Sequence, residues 1–228
     1  MIPKLVHRIW LGSSVPREYD SVWAAWREMF PEYELRTWTE SELRQLGVPA
    51  YLWAARTYAE QSDIARLRVL NRCGGIYADC DCQPLRRFDA LWTSEDRLVV
   101  FEAPGEIWNG LIAAAPGALD FIERCTERNS RRHHPNAAPN VRTGPYALAA
   151  ALEYMVTMGH GPVRVYPPSF LDLTGGETFA VARTRFRDPP VWTPTPDPAP
   201  AARAPLRSAW FDLQLLAVRA RRRLRRAG

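Results

Sequence analysis

Residues 59–85 read AEQSDIARLRVLNRCGGIYADCDCQPL and predict a helix, a glycine turn and a strand in direct succession. Good helix formers run to Cys73, with apolar side chains at three-residue spacing. Gly74 and Gly75 follow where a helix C-cap favours a positive φ angle, so the helix is expected to end there. The β-prone residues that come next predict a strand. The rest of the chain is organised around this helix and strand.

Two aspartates, Asp79 and Asp81, stand at the end of that strand, two residues apart. If the chain is extended there, both side chains point to the same side. Paired carboxylates suit Mg²⁺ or Mn²⁺, hard cations that take oxygen ligands and keep open positions for substrate phosphates. The competing interpretation is a polar strand end that enters a turn at Gln83-Pro84, and a bare Asp-x-Asp favours it.

Upstream of the aspartate pair, Asp63 and Arg66 lie one helical turn apart on the same face of the predicted helix. Both side chains can therefore face one site just before the strand. The alternative is a surface ion pair, which contributes at most about 0.5 kcal/mol. The spacing alone leaves both interpretations open.

Helix and strand patterns alternate through the rest of the chain, which favours an α/β fold. The 228 residues, 46% of them hydrophobic, are enough for one good core. Residues 129–140 read as a polar loop. Strands are predicted at residues 5–11, 33–38 and 97–101, a strand followed by a turn at residues 163–169, and further helices at residues 21–30, 116–128 and 146–158.

The combined run of S-D-x-x-R, a glycine pair and Ile-Tyr-x-Asp-x-Asp resembles the DXD-containing sugar-binding region of family 32 glycosyltransferases. This family includes mannosyltransferases and capsular polysaccharide hexosyltransferases, and it has a more distant likeness to the large clostridial glucosylating toxins. The resemblance covers about residues 2–182. It implies a GT-A type α/β fold, with a mixed, mostly parallel sheet flanked by helices.

The resemblance also implies which side chains bind the donor. Trp10 in the opening strand stacks on the nucleotide base, although residue pattern alone favours a core position for this tryptophan. Asp63 and Arg66 hold sugar hydroxyls and phosphate, and Tyr77 belongs to the same donor site. Asp79 shares the cation or holds the ribose.

The residues implied in catalysis are Asp79, Asp81 and Asn109. Asp81 ligates the cation, Asp79 is the second metal ligand, and Asn109 in the W-N-G-L-I segment lies near the anomeric carbon. Thr143-Gly144-Pro145 resembles the family's T-G-P element, which helps to shape the acceptor side. The cofactor is Mn²⁺ or Mg²⁺.

The implied activity is that of a retaining, metal-dependent hexosyltransferase. Its donor is a UDP- or GDP-hexose, and its acceptor is a glycan or a lipid-linked molecule in polysaccharide or glycoconjugate synthesis. The sequence offers no second carboxylate for a double displacement. We therefore expect a front-face route, in which the acceptor attacks on the leaving-group side. The alternative is a non-catalytic protein that binds sugar nucleotides.

One part of the family pattern is missing. Where relatives carry one or two histidines that help to hold metal and diphosphate, this chain has Ala182 and Arg183. Arg183 or Arg185 can neutralise diphosphate charge directly, because a guanidinium matches phosphate geometry. Alternatively, Ser208 and Trp210 replace the Ser-Trp pair that follows the histidines in the family.

The charge of the chain is concentrated in its last residues. Residues 206–228 hold seven arginines and one aspartate, whereas the whole chain has a net charge of +5. Residues 1–205 are therefore close to neutral, which argues against a nucleic-acid binder with basic residues spread over one face. This binder remains the least favoured alternative.

The predicted organisation has three parts. Residues 1–188 form the catalytic domain, residues 189–205 form a proline-rich linker, and residues 206–228 form a basic amphipathic helix. The helix has the pattern of one that lies on anionic lipid, and docking on its own domain is the equal alternative. No signal peptide or membrane span is evident. We therefore expect a cytoplasmic protein, for which the helix leaves open a peripheral position on the inner membrane face.

Overall fold

The central sheet has six strands in the computed structural model of the chain, which describes residues 1–48, 57–103, 106–132, 138–159, 163–172 and 180–184. The strands of this sheet and of a second, smaller sheet are, in chain order, β1 (Leu5–Ile9), β2 (Glu34–Trp38), β3 (Gly75–Ala78), β4 (Cys82–Pro84), β5 (Leu98–Ala103), β6 (Glu106–Ala114), β7 (Val163–Tyr166), β8 (Leu171–Asp172) and β9 (Ala182–Thr184). The helices are α1 (Asp20–Met29), α2 (Glu40–Gln45), α3 (Tyr58–Cys73), α4 (Asp120–Arg132), α5 (Pro139–Arg142) and α6 (Pro145–Thr157).

The strand order in this sheet is β2-β1-β3-β6-β5-β7. The β1–β2, β1–β3 and β5–β7 pairs are parallel, whereas β6 runs antiparallel to both of its neighbours. A second, three-stranded sheet has the order β4-β9-β8. The mixed, mostly parallel sheet predicted from the sequence is thereby confirmed.

Each face of the central sheet carries its own hydrophobic core, because successive side chains of a strand point to opposite faces. Ile76 of β3 packs with the aromatic side chains of α1, and its neighbour Tyr77 packs with α3, α4 and α6. The same alternation puts Ile112 of β6 on the α3 side and Leu111 on the α1 side. The sheet therefore lies between helices on both faces.

The helix predicted at residues 116–128 is wrong at both ends, since α4 spans Asp120–Arg132. Gly117 has a φ angle of 74° and donates its N–H to the carbonyl of Asn71, so the chain turns before the helix begins. The short helix α5, which begins at Pro139, extends into the segment predicted as a polar loop. Proline suits the first position of a helix, because it has no backbone N–H and an N–H at this position would have no partner within the helix.

Several sequence predictions fall outside the described residues. They are the linker at residues 189–205, the basic helix at residues 206–228, and the roles proposed for Arg185, Ser208 and Trp210. These remain predictions. None of the helices in the described ranges has the length and apolar character that crossing a membrane requires.

Candidate active site

The candidate site lies at the edge of the sheet where β1 and β3 end and the antiparallel β6 begins. Parallel strands place their carboxyl ends at one edge, which is where ligands bind in open α/β sheets. This geometry puts Asp79, just after β3, beside Asn109 of β6. Asp63 and Arg66, both on α3, contact the same pair from above the sheet.

Arg66 is the centre of the site and is only 6% exposed. Its Nη2 lies 3.2 Å from Oδ1 of Asp63, and its Nη1 lies 3.1 Å from Oδ1 of Asp79. Nη1 also donates to the carbonyl of Asn109 at 2.6 Å. The Nε and Nη2 groups donate to Ser62, to its carbonyl and hydroxyl oxygens respectively, both at 3.3 Å. The guanidinium thus donates three hydrogen bonds to the protein and lies within ion-pair distance of two carboxylates.

The carboxylates around Arg66 outweigh the cost of burying its charge. Burial lowers the pKa of the guanidinium, but Asp79, Tyr77 and Asp63 raise it above its usual value. The guanidinium carbon also lies 4.6 Å from the centroid of the Tyr77 ring, within cation–π distance. Arg66 is therefore a permanent cation that holds the acidic groups in place.

Asp63 is 8% exposed, and both of its carboxylate oxygens accept hydrogen bonds. Nδ2 of Asn109 donates to Oδ1 at 2.8 Å, and the hydroxyl of Thr143 donates to Oδ2 at 3.0 Å. Burial raises the pKa of Asp63 to about 6, although Arg66 and the two hydrogen bonds act in the opposite direction. The sequence interpretation of Asp63 and Arg66 as a surface ion pair is therefore wrong.

Asp79 is oriented by its neighbours on β3 and β6. The hydroxyl of Tyr77 donates to Oδ1 at 2.8 Å, and the backbone N–H of Asp79 donates to the carbonyl of Gly110 at 2.8 Å. A Cβ atom on Gly110 would lie 2.6 Å from Oδ2 of Asp79 and 2.6 Å from the ring of Trp108. Only glycine permits this close approach.

Asp81 follows Asp79 in a turn, so the chain is not extended through the motif. The N–H of Cys82 donates to the carbonyl of Asp79 at 2.9 Å, which closes a four-residue turn with Cys80 and Asp81 at its centre. The expectation of same-side alternation is therefore wrong. The competing interpretation placed a turn at Gln83-Pro84, and this is wrong as well, because those residues belong to β4 and the turn lies at Cys80 and Asp81. Burial raises the pKa of the half-buried Asp81 to about 7, and the charge of Asp79 adds to this effect.

The two aspartates differ in how their charge is compensated. Arg66 and the hydroxyl of Tyr77 bind Asp79, whereas no cationic side chain of the described residues lies within 4.0 Å of Asp81. Within the described ranges, no three His, Cys, Asp or Glu side chains come together as a metal-ligand set. A cation held by Asp79 and Asp81 would complete its coordination with water or substrate oxygens, as Mg²⁺ commonly does.

Trp10 is not part of the hydrogen-bonded network. Its ring packs on Tyr19 at 5.1 Å between centroids, and its Nε1 donates to the hydroxyl of Ser13 at 3.4 Å. Burial raises the pKa of Tyr19, and the charge of Asp81 adds to the rise, so this ring pair borders the aspartate motif. Trp10 is half-buried, and its stacking on a base stays a prediction.

The positions of the missing family histidines offer no metal ligand. Ala182 is fully buried in the core, and Arg183 is exposed and donates from Nε and Nη2 to Oε1 of Gln83 at 3.2 and 3.0 Å. The register of β4 with β9 nevertheless brings Thr184 opposite Cys82, one residue after Asp81. The last described residue of β9 thus pairs with the residue that follows the aspartate motif.

Sequence analysis missed three contributors to the network. Ser62 stands in the quoted S-D-x-x-R run, and its hydroxyl lies 3.4 Å from that of Tyr77. Gly110 follows Asn109 directly, and its lack of a side chain was the only available signal. Thr143 was quoted as part of the T-G-P element but was assigned to the acceptor side, whereas its hydroxyl contacts Asp63.

Comparison with known proteins bears on the family of this chain. Residues 16–98 match the family model of the glycosyltransferase sugar-binding region containing the DXD motif. The family resemblance is thereby confirmed. Inositol phosphoceramide mannosyltransferase 3 of Schizosaccharomyces pombe is 26% identical over 157 residues, which cover 65% of this chain and 44% of the relative. The chain thus spans about half the length of that mannosyltransferase.

Solved structures show that the fold is of the GT-A type. The PaToxG glycosyltransferase superposes with a TM-score of 0.58 at 22% identity, covering 69% of this chain and 71% of that one. The UDP-bound glycosyltransferase domain of the YGT toxin has a TM-score of 0.50 at 11% identity, covering 72% and 79%. The GT-A fold and the distant likeness to glucosylating toxins, both predicted from the sequence, are consistent with these matches.

Proposed function

We propose that the protein is a retaining, metal-dependent glycosyltransferase that moves a hexose from a nucleoside diphosphate sugar to a lipid-linked or glycan acceptor. One observation carries the proposal. Asp79 and Asp81 lie together at the ligand-binding edge of a GT-A sheet, and only Asp79 has a cationic partner among the described side chains. A partly desolvated carboxylate that lies beside a second one and has no cationic side chain in contact is the environment that a divalent cation stabilises.

The residues present fit such a cation. Both aspartates offer oxygen ligands, and the raised pKa of Asp81 marks a carboxyl group that gains from a nearby positive charge. When bound, the cation supplies Lewis-acid stabilisation of the charge that develops on the leaving diphosphate. Mn²⁺ and Mg²⁺ both suit these ligands.

The protein's own part is to hold the donor in place. Oδ1 of Asp63 already accepts from Asn109 and lies beside Arg66, so Oδ2 is the oxygen with an acceptor position left for a sugar hydroxyl. Arg66 already donates to Ser62 and Asn109 and lies within ion-pair distance of both Asp63 and Asp79. We therefore assign to it the positioning of Asp63 and Asp79 rather than direct phosphate binding.

Asn109 lies on β6, the strand beside the aspartate motif, and contacts Asp63, the aspartate assigned to the donor sugar. Its side chain donates to Asp63 and its carbonyl accepts from Arg66, so its position is fixed from two directions. An amide held in this way can orient the donor sugar near its anomeric carbon but is too weak a nucleophile to form a covalent intermediate. This supports a front-face substitution with retained configuration.

The relatives and neighbours suggest the substrate classes. The name of the fission-yeast relative specifies mannose and inositol phosphoceramide, which supports a hexose donor and a lipid-linked acceptor. The YGT toxin domain was solved with UDP, which supports a nucleoside diphosphate in the same cleft. A lipid acceptor would also give the basic segment at residues 206–228 a purpose as a peripheral anchor on anionic membrane.

Isothermal titration tests the proposal. UDP and GDP are each titrated with and without Mn²⁺ into the wild type, Asp81→Asn and the control Asp120→Asn, whose exposed carboxylate forms an ion pair with Arg124 on its own helix. We expect one nucleotide to bind in a Mn²⁺-dependent manner to the wild type and the control, and binding to be lost in Asp81→Asn. If neither nucleotide binds, the proposal is wrong.

A turnover assay separates the enzyme from its closest alternative. Release of nucleoside diphosphate from UDP-hexoses and GDP-hexoses is followed in the presence of Mn²⁺ and a detergent-solubilised inositol phospholipid. Tight nucleotide binding without any sugar transfer or donor hydrolysis would favour a non-catalytic sugar-nucleotide-binding protein. The replacement of the family histidines by Ala182 and Arg183 is the observation that keeps this alternative open.

A further inference from the structure

The turn between α5 and α6 packs directly against the donor-binding side of α3. Arg142 lies 3.2 Å from Oε1 of Glu60, and Thr143 donates to Oδ2 of Asp63. Glu60 and Asp63 are neighbours on one face of α3, three residues apart. The last residue of α5 and the first residue of the turn therefore contact two neighbouring positions on that face.

The turn itself is held from its other side by α4. Nδ2 of Asn129 donates to the carbonyls of Val141 and Arg142 at 2.8 and 3.0 Å. These carbonyls end the short helix α5 and would otherwise lack partners. The position of Thr143 is thus fixed independently of its own contact with Asp63.

The hydroxyl of Thr143 has a single proton and two acceptors within reach. Oδ2 of Asp63 lies at 3.0 Å and the carbonyl of Pro139 at 3.3 Å. The carboxylate is nearer and charged, and charge-assisted hydrogen bonds are about twice as strong as neutral ones. The proton therefore goes to Asp63. Because Thr143 is only 2% exposed, water does not compete for this bond.

Gly144 completes the contact by its lack of a side chain. A Cβ atom at this position would lie 2.9 Å from Cα of Asn140 and 3.3 Å from Oδ2 of Asp63. Its φ angle of −82° is open to any residue, so close approach and not backbone conformation requires glycine here. Gly144 is also the N-cap of the 13-residue helix α6, whose positive end therefore lies near the carboxylate.

We propose that Thr143 and Gly144 form a positioning element that fixes the rotation of the Asp63 carboxylate for binding of the donor sugar. Asn109 and Arg66 occupy Oδ1, and the hydroxyl of Thr143 takes one acceptor position of Oδ2. The hydrogen bond from Thr143 therefore determines the direction in which the remaining acceptor position of Oδ2 points. The T-G-P element thus serves the donor side of the site and not the acceptor side expected from sequence. This inference rests on the proposed function.

The variants Thr143→Val and Thr143→Ser test the role of the hydroxyl. Valine keeps the shape of the side chain without the hydroxyl, and serine keeps the hydroxyl that donates the hydrogen bond. Thr126→Val is a matched control, since Thr126 is 1% exposed on α4 and its hydroxyl has no hydrogen-bond partner among the described residues. Each variant is titrated in Mn²⁺ with the nucleoside diphosphate that the wild type binds and with the corresponding sugar nucleotide. Steady-state kcat and KM are measured with the same sugar nucleotide.

We expect the variant to affect binding of the sugar nucleotide much more than binding of the nucleoside diphosphate. Thr143→Val binds the nucleoside diphosphate within about twofold of wild type but loses at least about tenfold in affinity or kcat/KM for the sugar nucleotide, as for a lost hydrogen bond to a charged group. Thr143→Ser recovers most of that loss, and Thr126→Val behaves as wild type.

Two results would overturn the positioning role while leaving the proposed function intact. One is an unchanged response of Thr143→Val to the sugar nucleotide. The other is an equal loss of nucleoside diphosphate and sugar nucleotide binding, which would indicate general disruption of the site. A wild type that binds neither ligand would instead refute the proposed function, and the positioning role with it.

Discussion

Replacement of His7 should make the stability of the protein less sensitive to acid. His7 is fully buried in β1, and its two ring nitrogens have different partners. Nδ1 accepts from Nε1 of Trp38 at 3.1 Å, so Nε2 carries the proton and donates to the carbonyl of Gly74 at 2.8 Å. A second proton on Nδ1 would face the N–H of Trp38. The native fold therefore requires the neutral imidazole.

The magnitude follows from the shift in the His7 pKa. Burial lowers it from 6.5 to about 4, and the hydrogen bond to Gly74 opposes burial only in part. Between these values the unfolded chain binds more protons than the native state, so stability decreases as the pH falls through this window. The full difference is about 3 kcal/mol, of which about 2 kcal/mol is lost by pH 5.

Urea denaturation of the wild type and His7→Gln at pH 7.5, 6 and 5 measures this effect. At pH 7.5 the variant should be less stable, because it loses buried hydrogen bonds. The gap should then narrow by about 2 kcal/mol at pH 5, since only the wild type must protonate this histidine on unfolding. Other titrating groups occur in both proteins and cancel in the difference. If the difference in the free energy of unfolding stays constant from pH 7.5 to pH 5, His7 is not a neutral, twice hydrogen-bonded side chain.

Three further predictions concern the site itself. Arg66→Met should lower the free energy of unfolding by about 3–5 kcal/mol, because Asp63 and Asp79 lose their shared cation, and an unchanged urea midpoint would contradict this. Gly110→Ala should reduce Mn²⁺-dependent nucleotide affinity at least about tenfold with an unaltered circular dichroism spectrum, since the added Cβ displaces Asp79. Nucleotide affinity in Mn²⁺ should weaken below about pH 7 as protons compete for Asp81, and a flat titration between pH 8 and pH 5.5 would count against Asp81 as a ligand.

The local parts of the site could be predicted because their spacing is periodic. One helical turn separates Asp63 from Arg66, and the glycine pair after α3 ends the helix at the predicted residue. The short strand β3 then places Tyr77 near the edge of the sheet, and Asp79 follows directly after the strand ends. These relationships depend on residues close in sequence, so helix and strand geometry were sufficient.

The remaining contributors could not be predicted, because they depend on contacts between distant parts of the chain. Thr143 lies 80 residues from Asp63 and reaches it only through the packing of α5 and α6 on α3. The turn at Cys80 and Asp81 is set by a backbone hydrogen bond that leaves no clear trace in residue type. The close approach of Gly110 to Asp79 likewise requires the pairing of β3 with β6.

The excess of carboxylates in the site has a consequence for how salt affects the donor. Asp63, Asp79 and Asp81 oppose the single positive charge of Arg66, so the ionised cluster repels an anionic diphosphate. Added salt screens such repulsion. In the absence of divalent cation, raising the ionic strength should therefore tighten nucleotide binding. With the cation bound, its two positive charges cancel the net charge of the cluster, and the same salt should no longer tighten binding. The ionic-strength dependence thus reports whether the cluster is neutralised before the donor arrives.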